Sequence, residues 1–311
     1  MTAGTISGGR KALDSMARAC VYTALFGGYE RLTEQPSALD SSLDFLCFTD
    51  DPALVSETWT VHLVEPLLPR DPVRSQRALK IRAHAAVPQY DTSLYIDNSI
   101  LLKMGPEVLL EDLLPPGRSM AVMAHGFRET VGDEFRAVIE DRLDTVGRCD
   151  EQAAHYVESD PAYLDRRPLK GGLLLRRHKD PRVMAAMDLW FTHVLRYSRR
   201  DQLSLPYALR ATGLEPLVHE LDNFDSPYHV WPASSGRGRD ASLWLRPQDD
   251  LEQARMELAA AESALDALRA SRSWRWTSPA RGLVGRFRQP VASQAINDSA
   301  SPEPSQAATS R

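Results

Sequence analysis

Five short runs, apolar on both faces, limit what this chain can build. They are Cys20 to Phe26, Phe45 to Phe48, Ser93 to Ile96, Met120 to Met123 and Gly172 to Leu175. A strand wetted on one side alternates apolar and polar residues, whereas a continuous apolar run belongs in a sheet covered on both faces. The intervening segments supply the covers. Asp71-Pro72 is a cap with a first-turn proline and opens a helix running to about Ala86. Phe135, Val138, Ile139 and Leu143 mark a second helix by their spacing. Asp180-Pro181 opens a third, whose Met184, Met187, Trp190, Phe191, Val194 and Leu195 form one apolar stripe. Strands alternating with helices predict an α/β fold over residues 19–232, with a mostly parallel sheet and flanking helices.

Composition excludes several other classes. With 43% hydrophobic and 25% charged residues, the 311-residue chain is neither wholly disordered nor collagen-like. A net charge of −5 argues against a bulk-electrostatic nucleic-acid binder. Cys20, Cys47 and Cys149 offer neither a disulfide framework nor a CxxC metal site. No run approaches the length of a membrane span, and residues 1–18 read as a flexible leader without a secretory apolar core. The expected location is cytoplasmic, peripheral at the inner face of the membrane.

Four segments fall where strands of such a sheet end, which is where open α/β sheets bind ligands. Phe26-Gly27-Gly28-Tyr29 permits a tight turn and close backbone approach to a ligand, although paired glycines also make ordinary turns. Asp50, in Thr49-Asp50-Asp51, suits a ribose or base, or else a helix-entry cap. Arg77, Lys80 and His84 share one helix face and suit a diphosphate; the alternative is a solvated stripe. Asp97 closes the buried run Tyr95-Ile96 and is either a divalent-cation ligand or a turn residue.

The order and detail of the motifs then count for more than any one of them. VYTALFGGYE, DFLCFTDD, DPVRSQRALKIRAH, SLYIDNSILL, HGFRE, KGGLLLRRH and DQLSLPYAL follow one another along residues 20–232. This string resembles a glycosyltransferase-like family once catalogued only as a domain of unknown function, which includes plant mucilage-synthesis proteins. The resemblance implies a GT-A-like, Rossmann-like fold and transfer of a sugar from a nucleotide-diphosphate donor to a cell-surface polysaccharide or glycolipid precursor. It places Asp97 and Ser99 on the family's Asp-x-Asp metal motif, with serine replacing the second acid. It also makes His229 a late metal ligand, with His219 as the fallback, for Mn2+ or Mg2+. Asp201 and Gln202 match an Asp-Gln pair that faces the acceptor or reacting carbon; a helix cap is the plainer role for Asp201. Gly171 and Gly172 match the turn beside the acceptor site. His125 and Arg128 match a His-Gly-x-Arg element read as a donor contact, although Arg128 also has Glu129 or Glu134 to pair with. Part of the family is linked to lipid amide hydrolysis, so a metal-dependent hydrolase and a non-catalytic scaffold stay open as alternatives.

The C-terminal quarter reads differently. Residues 233–248 form a linker. Leu251, Ala254, Leu258, Ala261, Leu265 and Leu268 then repeat as a heptad seam within a helix over 249–271, expected to be coiled-coil-like and to pack on a second copy or on the domain. Residues 272–290 carry five arginines with Trp274, Trp276 and Phe287, and no acid. This Arg/Trp-rich piece resembles the tail of bacterial polysaccharide glycosyltransferases and suits an anionic bilayer or an acidic partner, a tail folded back onto the surface being the plainer role. Residues 291–311 are poor in anything to bury and are expected to be disordered.

Overall fold

The computed structural model describes residues 19–232 and 246–270. The chain divides into two compact units at Asp250/Leu251. Expectations for the leader, most of the linker, the Arg/Trp-rich segment and the C-terminal tail lie outside the described residues.

All five apolar runs are strands: β1 (Ala19–Leu25), β2 (Asp44–Thr49), β4 (Thr92–Ile96), β6 (Met120–Ala124) and β7 (Leu169–Arg176). Three shorter strands complete the count around them, β3 (Thr60–Leu63), β5 (Leu101–Leu102) and β8 (Leu217–His219), with β9 (His229–Val230) last. Seven strands form one sheet in the order β3-β2-β1-β4-β7-β6-β8, while β5 and β9 make a small ladder of their own. β2 and β4 flank β1 in parallel, and β8 is parallel to β6. β7 alone is reversed, antiparallel to both β4 and β6. The expected α/β class with a mostly parallel sheet is what the chain adopts.

The helices are α1 (Pro72–Ile81), α2 (Ala83–Ala86), α3 (Pro106–Leu113), α4 (Val131–Glu140), α5 (Val146–Ser159), α6 (Pro181–Arg196), α7 (Leu205–Ala211) and α8 (Arg246–Ala270). One sheet face buries Tyr22, Phe48, Tyr95, Val122 and Leu174 against Ile81 of α1 and Met187, Trp190 and Val194 of α6. The other buries Val21, Cys47, Leu94, Ile96, Ala121 and Leu175 against Leu109 and Leu113 of α3. The alternation along each strand is the geometric reason that runs apolar on both faces were needed. All three cysteines are buried free thiols; burial pushes Cys47 and Cys149 up to about 12, Glu34 and Asp144 adding to it.

Two buried arginines fix the helices that carry the cleft. Asp71 caps α1 by accepting from the Arg74 N–H at 2.9 Å. Arg74 in turn donates to the Val194 and Tyr197 carbonyls at 2.7 Å each, closing the C-terminal end of α6. Arg176 of β7, wholly buried, does the same for α1: it donates to Ile81 O at 2.7 Å and Lys80 O at 3.0 Å. A guanidinium at a helix C-terminus satisfies orphan carbonyls and meets the negative end of the dipole.

Candidate active site

The reversal of β7 builds the site. Because β7 runs against β4, its beginning lies beside the end of β4, with Leu173 opposite Ile96. On its other side the register jumps: Val122 faces Leu174 but Met123 faces Lys170. Residues 171–173 therefore have no partner on β6, and such an irregularity re-aims neighbouring side chains. The result is a polar cleft lined by Tyr29, Glu30, Gln76, Arg77, Lys80, Asp97, Asn98, Ser99, Lys170, Gly171, Gly172, Arg200, Asp201, Gln202 and Trp231.

Charge in the cleft is organised around one lysine. Lys80 Nζ lies 2.7 Å from Asp201 Oδ2 and 3.2 Å from Asp97 Oδ1. Arg77 Nε approaches the same Asp201 oxygen at 3.4 Å. Burial alone would raise the Asp201 carboxyl, but Arg77 and Lys80 overcome it and hold the group well below the usual carboxylate range. Tyr95 donates from its hydroxyl to Asp97 Oδ1 at 2.8 Å and accepts from Gln76 at 2.7 Å. Asp97 is thus oriented through Oδ1, while its side chain keeps 28% of its surface exposed. The two glycines make room for the network. A Cβ on Gly172 would stand 3.2 Å from Asp97 Oδ2, and one on Gly171 would stand 3.6 Å from both Asp201 Oδ2 and Lys80 Nζ.

Of the residues expected at the site, Asp97, Ser99, Tyr29, Arg77, Lys80, Gly171, Gly172, Asp201 and Gln202 line this one cleft. Others have different employment. Gly27 and Gly28 adopt φ of +78° and +62°, and Asp50 accepts the Gly27 N–H at 3.0 Å, so its carboxylate closes the turn after β1. Phe26 is core. His84 leaves the stripe to meet Asp188 at 3.2 Å. His125 is buried with Nε2 3.7 Å from Glu134. Burial, then Lys170 and Arg128, press its pKa down to about 4, so it is neutral near pH 7. Arg128 pairs with Glu134 at 3.4 Å, the plainer of its two readings. The cap role for Asp201 does not hold: it begins a 3-10 turn (Asp201–Leu203) and its carboxylate serves Lys80 and Arg77 instead.

Each of the expected metal ligands already has a partner within the protein. His229 Nδ1 is 2.8 Å from Ser226 Oγ and Nε2 is 3.3 Å from Asn223 O, so both ring nitrogens are engaged. His219 Nε2 bonds the Leu113 carbonyl at 2.8 Å. Ser99 Oγ accepts the Trp231 indole N–H at 3.0 Å. Among the described residues no three His, Cys, Asp or Glu side chains gather around one point. With both His229 nitrogens engaged, an ion at Asp97 would draw the rest of its coordination from donor phosphates and water, as magnesium commonly does.

Two cations escaped the sequence reading. Arg200 lies on the wall, donating to Gln202 Oε1 at 3.1 Å and standing 3.7 Å from Glu134. Lys170 Nζ sits 3.7 Å above the Trp231 ring, outside the ion pairs that tie Arg77 and Lys80 to Asp97 and Asp201. Burial, with Arg200 and Lys80 adding to it against the pull of Asp97, lowers its pKa from 10.5 to about 8. The only signal was its place immediately before Gly171-Gly172.

Residues 7–219 match the TOD1/MUCI70 glycosyltransferase-like domain, and the chain belongs to that family. No curated protein matches the sequence. Similar solved structures include mouse xyloside xylosyltransferase 1 in its apo form, at 13% identity and TM-score 0.38, covering 66% of this chain and 85% of that one. Another is the apo bifunctional glycosyltransferase WbbM, at 9% identity and TM-score 0.40, covering 65% of this chain and 38% of that one.

Proposed function

We propose that the chain transfers a sugar from a nucleotide-diphosphate donor to a polysaccharide or glycolipid precursor. The observation that carries this is the cleft's charge pattern: Arg77 and Lys80 are already compensated by Asp97 and Asp201, whereas Lys170 lies outside those ion pairs and sits over the Trp231 ring. Glycosyl transfer separates an oxocarbenium-like sugar from a diphosphate, and fixed positive charge beside the leaving group is the protein's main lever. Lys170 and Arg200 would hold the leaving phosphates. Lys80 and Arg77 form a rigid wall behind them, and Asp97 Oδ2 offers an acceptor to a sugar hydroxyl. No step in this reading passes through a metal. The same proposal places the enzyme in the cytoplasm at the inner membrane face, reached through residues 272–290 and paired through residues 251–268.

Calorimetry with uridine and guanosine diphosphate sugars, in chelator and then in manganese, tests it. A nucleotide sugar should bind in chelator, and Lys170→Met should weaken that binding at least tenfold. Asp97→Asn should keep the fold and the donor but lose turnover. If no nucleotide sugar binds in either medium, the transferase reading fails.

A further inference from the structure

Beside the cleft lies an aromatic surface that shares only Lys170, at its edge, with the donor chemistry. Phe127 is 42% exposed and Phe224 48% exposed, both unusual for phenylalanine. With Trp231 they form one cluster: Phe127 and Trp231 are nearly parallel at 7° with centroids 6.3 Å apart, and Phe224 lies 5.4 and 5.3 Å from the two. The surface is continuous with the cleft, because Trp231 and Lys170 line both.

Its two loops are held rigidly. Asn223 accepts the Gly126 N–H at 2.6 Å and donates to Ala124 O at 3.0 Å, stapling the Phe127 loop to the Phe224 loop. A Cβ on Gly126 would come within 3.0 Å of that Asn223 oxygen, so the staple needs glycine there. The Trp231 N–H donates to Phe224 O at 2.7 Å, and its indole is pinned on Ser99. Preorganised rings of this kind bind without an ordering cost.

Cations decide what the rings can take. Lys170 Nζ stands 5.1 Å from the Phe127 centroid and 3.7 Å from that of Trp231, and the Arg128 guanidinium is 5.5 Å from Phe127. An acyl chain laid here would strip water from both charges and return nothing. A pyranose ring presents a face of C–H bonds, which the negative faces of aromatic rings attract, and an edge of hydroxyls that accept from an ammonium. We infer that Phe127, Phe224 and Trp231, with Lys170, form a subsite for pyranose rings of a glycan acceptor, holding the chain as it enters the cleft. The inference rests on the transferase reading for the word acceptor; the binding itself does not.

The test uses the full chain and ligand-observed saturation-transfer NMR with maltohexaose, cellohexaose and a galacturonic acid hexamer. Phe127→Ala with Phe224→Ala removes the two exposed rings and leaves Trp231 on Ser99. At least one hexasaccharide should bind, and the double variant should weaken it tenfold or more, with unchanged melting temperature and nucleotide-sugar affinity. Three hexasaccharides that do not bind, or that bind both proteins alike, overturn the subsite while leaving the transferase reading intact if the donor still binds. Loss of binding to phosphatidylcholine vesicles in the double variant, without glycan binding by wild type, would make the patch a lipid contact and also overturn it. Failure of every nucleotide sugar alongside retained glycan binding would overturn the transferase reading alone.

Discussion

A carboxylate sealed between two cations answers to mutation differently from one that reaches solvent, and the cleft holds one of each. Asp201 is buried against Lys80 and Arg77. Asp201→Asn would strip Arg77 of its ion-pair partner in the interior and leave Lys80 with Asp97 alone, a loss of about 3–5 kcal/mol in systems of this kind. Asp97→Asn removes a charge that is partly hydrated and keeps the Tyr95 hydrogen bond, so its effect on the denaturation midpoint should be small. The two variants should therefore separate in denaturant titrations even if both lose turnover. Lys170 gives a second contrast. Its folded pKa lies near 8 rather than 10.5, so between those values the unfolded chain binds more protons and stability rises with pH. Donor affinity should move the opposite way, falling as Lys170 loses its charge above about pH 8. Calorimetric affinity and melting temperature measured across pH 7–10.5 should diverge in wild type. In Lys170→Met the affinity should lose its decline through pH 8.

At the scale of elements, the reversed β7 links site and scaffold through one strand. Its first half supplies Lys170, Gly171 and Gly172, and its last residue, Arg176, closes the end of α1 at the carbonyls of Lys80 and Ile81. Arg176 also donates to the Tyr22 hydroxyl at 2.7 Å, and that hydroxyl donates to Lys80 O at 2.9 Å. Arg176→Met keeps the stem but strands the Ile81 carbonyl, at a cost of about 1–3 kcal/mol, while Lys80 O keeps the Tyr22 hydroxyl. The urea midpoint should fall with little change in slope, and donor affinity should fall too because the turn carrying Lys80 loses its anchor. Central strands were legible in the sequence because burial on both faces leaves an unbroken apolar run. The direction of β7 was not, since such a run reads the same for parallel and antiparallel neighbours. β3 and β8 were missed as short, partly exposed edges, and α5 because its buried Cys149, Gln152 and Tyr156 make a thin stripe interrupted by a polar residue. Within the site, Asp97, Lys80 and Asp201 stood out by their motifs. Lys170 depends on a register jump between β6 and β7, which no local pattern announces.

At the scale of the whole molecule, the family match ends at residue 219 and the described α/β unit at residue 232, so the remaining quarter needs its own account. No helix among the described residues is long and apolar enough to cross a membrane. The heptad segment is helical, within α8, and its Leu258 and Leu265 are 59% and 41% exposed. A helix with an uncovered leucine seam gains by pairing, and under three heptads gives only a marginal partner interface. On the proposed membrane role, the five arginines of residues 272–288 would add an electrostatic hold. Each is worth about 1 kcal/mol near an anionic surface, enough together for reversible binding that salt competes away. Truncation after Asp240 should leave nucleotide-sugar affinity and the melting transition of the α/β unit unchanged. It should abolish co-sedimentation with phosphatidylserine vesicles and reduce the sedimenting mass to one chain. Full-length protein in high salt should lose the vesicles but keep its mass, because the leucine seam does not depend on charge. A full-length chain that ignores phosphatidylserine vesicles at low salt would remove the membrane role. A truncated chain that unfolds would show instead that α8 belongs to the stability of the α/β unit.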